Sequence, residues 1–120
     1  MRADGTRLVV ATSRVGGVDV ALDASLVMHV MDDEAEGRAL DLAEHLGRAH
    51  EGPRRGLIVR TAKGALRVRV GSEVRVAEQP VVLDAPSLVS ELLARLGVIG
   101  LVPHDDGYAL LVDVERAARR

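Results

Sequence analysis

The chain has 120 residues, a formal net charge of −2, and no cysteine, phenylalanine or tryptophan. That length suits one domain whose core needs no disulfides, with Val, Leu and Ala supplying the packing that aromatic side chains usually share. The composition excludes thiolate chemistry and Cys-based zinc sites, and near-balanced charge with Tyr108 as the only aromatic argues against nucleic acid as a partner.

The apolar runs fall far short of the ~20 residues that cross a bilayer, and residues 1–5 lack the apolar core of a secretory signal. A cytoplasmic protein of a reducing compartment is expected.

In chain order, the first apolar stretch is residues 8–11, dense enough to be a strand covered on both sides. Gly16-Gly17 follows, and two glycines supply the positive φ of a tight hairpin leading into residues 18–23. There Val18, Val20 and Leu22 share one face while Asp19 and Asp23 take the other. Residues 42–46 read as a short helix stopped by Gly47. The stretch His50-Glu51-Gly52-Pro53-Arg54-Arg55-Gly56 is the best linker and cuts the chain near its midpoint.

The second half starts with strand 57–62, the Lys63-Gly64 turn and strand 65–70, whose Val and Leu alternate with Arg67 and Arg69. Gly71-Ser72 marks a bend before Val74-Arg75-Val76. Asp84-Ala85-Pro86 opens a helix with Leu88, Val89, Leu92, Leu93 and Leu96 on one stripe and Gly97 as its stop. Strands 98–102 and 109–114 close the chain around a turn at Asp106-Gly107. Three hairpins predict a mostly β protein, an antiparallel barrel or sandwich with one or two short helices.

Catalytic spacing is missing. His45 and His50 are five residues apart and lie on different helix faces, so they make no i, i+4 metal pair. His104-Asp105-Asp106 is explained by the hairpin loop it occupies. None of Ser13, Ser25, Ser72, Ser87 and Ser90 stands in a nucleophile elbow, and no phosphate-cradling glycine loop occurs. No catalytic residue, metal site or cofactor is expected. The acidic stretch 32–36 reads as a solvated loop. Arg60, Arg67, Arg69 and Arg75 form an Arg comb that serves either as a docking patch for an acidic partner or as a charged edge that discourages strand pairing.

Read as blocks, the chain resembles the chemotaxis coupling-protein (CheW-like) family. Residues 17–30, with Ala21-Leu22-Asp23, resemble the family's "y-A-L-D-i-x-x-V-x-E-V" stretch. Residues 37–47 resemble "G-x-v-v-P-V-i-D-L-x-x-x-L-G", and residues 107–116 resemble the closing "g-x-l-v-l-l-L-D-l-e-r-L". The resemblance spans nearly the whole chain. It implies two small five-stranded SH3-like β-barrel lobes packed together, within a single domain 1–120 whose lobes are roughly 1–50 and 54–120 and not strictly separable. It also implies a non-enzymatic adaptor linking chemoreceptor cytoplasmic tips to a CheA-type histidine kinase, with the receptor tip in an apolar groove between the lobes and the kinase on a barrel end.

Three departures stand out. The connection between Val30 and Leu40 is short and lacks the family's Asn-Leu-Arg element, His29 replaces a glutamate, and a proline before Leu40 is missing. These imply a first barrel that lacks a strand or closes differently, in a shortened, specialised coupling protein for which binding only one of the two partners is the alternative to linking both. The expected partner-binding residues are Val27, His29, Val30 and Met31 after the first hairpin, with Leu40 and Leu42 on the same wall. An imidazole at His29 would make binding pH-sensitive. Two other classes fit the same strands: a small-ligand-binding β-barrel or accessory subunit, and a homodimer paired through exposed strands.

Overall fold

A computed structural model describes residues 8–32, 38–79 and 82–119. Among the described residues, nine strands form two sheets. In chain order, β1 (Leu8–Val15) and β2 (Val18–Asp23) are followed by a single 3₁₀ turn at Ala24–Leu26. Next come β3 (Val27–Asp32), β4 (Leu40–Asp41), helix α1 (Leu42–His45), β5 (Arg54–Thr61), β6 (Gly64–Gly71) and β7 (Val74–Gln79). Helix α2 (Ser87–Arg95), β8 (Val98–His104), β9 (Gly107–Val112) and helix α3 (Val114–Ala118) complete the chain.

The turns sit within one residue of where the sequence places them. Gly16 and Gly17 take φ of 55° and 81° between β1 and β2, which no β-branched residue would tolerate. The β5–β6 and β8–β9 hairpins turn one residue earlier than Lys63-Gly64 and Asp106-Gly107, at Ala62-Lys63 and Asp105-Asp106, and Gly64 and Gly107 open the returning strands. Two strands escape sequence reading. β3 has no strict period of two because its register against β5 shifts between Val27 and His29, and β4 is only two residues long. A third helix, α3, adds to the two expected.

One sheet runs β7-β1-β2-β9-β8 and the other β3-β5-β6-β4. The N-terminal hairpin β1–β2 therefore belongs to the sheet of the C-terminal strands, and the linker 47–53 joins α1 to β5 within the other sheet. The partition between the sheets does not coincide with the expected break at 50–54. The cause is pairing: β2 lies parallel to β9, with Val20 opposite Leu110 and Ala21 opposite Leu111, while β1 pairs with β7. The β3–β6 sheet has four strands among the described residues, against the five that the resemblance implies.

Side chains alternate across β1, β2 and β9 between two cores. Val10, Ala21, Val102, Ala109 and Leu111 fill the inside of the five-stranded sheet. Val15, Val20, Leu22 and Val112 point the other way, into a larger core shared with Leu57, Val59, Val68, Val70 and Leu42 of the other lobe. The central strands are thus buried on both faces, as their continuous apolar composition requires. Polar bonds also cross between the lobes. The Gly71 N–H donates to Ser13 Oγ at 3.0 Å, the Gly16 N–H donates to His50 Nδ1 at 3.0 Å, and His45 Nε2 lies 2.7 Å from the Leu96 carbonyl oxygen. Two of the four histidines therefore serve as structural bridges.

Candidate functional site

Most of the seam between the sheets is filled by the shared core, but one end stays open. A crevice of about 520 Å³ is floored by Leu22, Leu26, Val59, Ile99, Leu111 and Val114. Its walls come from the end of β2 and the 3₁₀ turn on one side, and from β5, β8 and the β9–α3 junction on the other. Local chemistry sets each wall. The Asp23 carboxylate accepts the Ser25 N–H at 3.0 Å and turns the chain so that Leu26 faces the crevice. Asp113 does the same for α3, accepting the N–H groups of Glu115 and Arg116 at 3.1 and 3.3 Å. Gly97 O accepts the Asp113 N–H at 2.7 Å and fixes the end of β9 beside β8.

The rim is charged: Asp23, Arg60, Asp113 and Glu115. Glu115 spans the lobes, since its Oε1 accepts the Ala62 N–H of the β5–β6 turn at 2.6 Å and its Oε2 takes Arg119 at 3.4 Å. The three acidic residues are thereby committed to backbone and side-chain partners. What the crevice offers is an apolar trough with a polar rim, the usual anatomy of a protein-docking surface.

The expected partner-binding residues are divided by the sheet. Val27 is half-buried against the shared core, His29 and Val30 are exposed, and Met31 is half-buried. Met31 lies over Gly56, where a Cβ would meet its Cγ at 3.2 Å, so the glycine makes room for it. Leu40 is half-buried on β4, and Leu42 is fully buried in α1. β3 and β4 stand at opposite edges of their sheet with β5 and β6 between them. The β3 segment does adjoin the crevice, because Leu26 on the crevice floor directly precedes Val27. The crevice residues themselves come from sequence-distant strands, and only the Leu22-Asp23 block pointed toward them.

The Arg comb separates too. Arg60, Arg67 and Arg69 share the outer face of β5–β6, with Ala65, Ile58 and Gly56 as their cross-strand partners. Arg75 stands in the other sheet opposite Thr12, because the bend after Gly71 carries β7 across to β1. It pairs there with Glu73 at 2.7 Å. Of the acidic stretch 32–36, Asp32 faces Arg55 at 3.8 Å and residues 33–36 lie outside the described residues. No described helix is long and apolar enough to cross a membrane.

No protein-family model matches the sequence, and no curated protein matches it. Among solved structures the chain is similar to the scaffolding protein TtCheW from Thermoanaerobacter tengcongensis. The TM-score is 0.70 at 15% sequence identity, over 90% of this chain and 90% of that one. With its two packed β-lobes and shared apolar core, the chain has a CheW-like fold.

Proposed function

We propose that this chain is a non-enzymatic adaptor of a chemosensory complex, linking a chemoreceptor tip to a histidine kinase. The observation that carries the reading is the crevice: an open apolar trough at the lobe junction of a CheW-like fold, similar to a scaffolding protein. A trough of this kind suits the apolar stripe of a helix, laid in as residues spaced i, i+3, i+4 and i+7. Ile99, 47% exposed in the trough, is the side chain such a helix would cover most.

The β3 edge extends the docking surface. Met28 and Val30 are exposed there, with His29 beside them and Val27 and Met31 anchoring the strand. Leu40 and Leu42 stand across the sheet from β3 and act on it only through the shared core. A small-ligand barrel is the weaker reading, because such sites need convergent free polar groups in the cavity. In this crevice Asp23, Asp113 and Glu115 are already engaged.

Titration of the protein with a receptor-tip helical hairpin and with the kinase regulatory domain, read by calorimetry, tests the reading. Binding to either, weakened at least tenfold by Ile99→Glu, supports it. If neither partner binds while the protein is folded, the adaptor reading fails. Repeating the titration with His29→Ala shows whether the exposed imidazole belongs to the contact.

A further inference from the structure

We infer that α2 is a self-association surface through which two copies of this chain pack with their helices antiparallel. The helix spans Ser87–Arg95, nine residues, and buries none of them. A helix of that length is marginal alone in water and takes its stability from packing an apolar face. Leu93 and Leu96 pack against the shared core and hold one side. Another stripe is left uncovered: Leu88 is 95% exposed and Leu92 61%. Pro86 at the N-cap supplies no side-chain hydrogen bond, so capping does not compensate. Exposed Leu83 and Ile99 lie just before and after the helix in sequence. Residues 88 and 92 are one turn apart, so the two leucines stand one above the other.

The charges on the helix identify the occupant. Glu91 and Arg95 form an i, i+4 ion pair at 3.7 Å, one turn apart like the two leucines. Turned end for end about a twofold axis, a second copy sets its Arg95 against Glu91 and its Glu91 against Arg95. The two pairs then form an alternating four-charge array along the leucine contact. A parallel arrangement would oppose like charges. The surface is therefore self-complementary in the isologous sense that a twofold dimer needs. A lipid surface fits poorly, because interfacial helices are rich in Lys and Arg on the polar face, whereas α2 offers Glu91 and a single Arg. Beside the stripe, a groove of about 520 Å³ whose lining includes Ser87, Ser90, Ala94 and Gly100 has the small residues that allow close approach.

Sedimentation velocity over a wide concentration range tests this with the full chain. The wild type should show a reversible monomer–dimer equilibrium. Leu88→Glu should weaken it at least tenfold with an unchanged circular dichroism spectrum, since that side chain touches little in the monomer. Glu91→Arg should weaken the dimer, and adding Arg95→Glu should restore it, because the exchanged pair is again complementary when antiparallel. A protein that is monomeric at every concentration overturns the inference. So does a dimer indifferent to Leu88→Glu, or a charge exchange that fails to restore what Glu91→Arg removes.

Discussion

Asp41 shows how much one side chain can be asked to do. It caps α1 by accepting the N–H groups of Ala43 and Glu44 at 3.1 and 3.3 Å, pairs with Arg54, and faces Arg69 at 3.9 Å. Burial works to raise its pKa, but the Arg54 guanidinium and the two backbone N–H groups outweigh that and hold it below the usual 3.8. A depressed carboxyl stabilises the fold at all pH above its unfolded value and loses that contribution as pH falls through its folded value. Asp41→Asn keeps a capping oxygen and loses the charge, so it should cost about 1 kcal/mol at neutral pH. Asp41→Ala loses both and should cost about 2 kcal/mol. Urea titrations at neutral pH and well below pH 4 should show the Asn variant converging on the wild type in acid. A second residue-scale test is Gly71→Ala. The added Cβ would stand 2.1 Å from the Arg14 carbonyl oxygen, a backbone atom that cannot swing aside. A loss of about 3 kcal/mol is expected, read as a lowered denaturation midpoint.

At the scale of elements, the hairpins were legible because their information is local. Gly16-Gly17, Lys63-Gly64 and Asp106-Gly107 each specify a turn within a few residues of the strands they join. Helix α1 was legible through Leu42 to Leu46, whereas α3 rests on an Asp113 cap that looks like one more strand-end aspartate in sequence. β3 carries no strand signal of its own in sequence, because its partner β5 lies beyond α1 and the linker. Of the crevice lining, only Leu22-Asp23 was legible. Leu26, Val59, Ile99 and Leu111 come from four separate elements and meet only through the β2–β9 parallel pairing. The β3 strand carries its own prediction. Among the described residues it pairs on one side only, and its side chains from Met28 to Val30 are exposed. Its amides should exchange with deuterium well before those of β5 and β6, which are paired on both sides, and mass spectrometry of the fragments would show it. Equal protection would mean that another element covers that edge.

For the whole molecule, the decisive feature is that the two lobes do not own separate cores. β1, β2 and β9 present one face to each, so Leu22 and Val20 pack with Leu57, Val59 and Val68 of the other sheet, while Ala21 between them packs with Val10 and Leu111. Unfolding either lobe alone would expose the shared core of the other, so neither can melt independently, and a single cooperative transition follows. Leu22→Ala tests it. That side chain is 2% exposed, and its loss should cost roughly 2–5 kcal/mol. Because Leu22 belongs to the shared core, the loss should lower the melting of both sheets together. Two probes make the comparison: fluorescence of Tyr108 at the β8–β9 turn, and amide exchange of β5 and β6 in the other sheet. If the variant shifts both by the same amount and calorimetry shows one peak, the shared core governs the fold. If the β5–β6 amides keep wild-type protection while the Tyr108 signal melts early, the lobes are autonomous, and the crevice between them would then open and close with their relative motion.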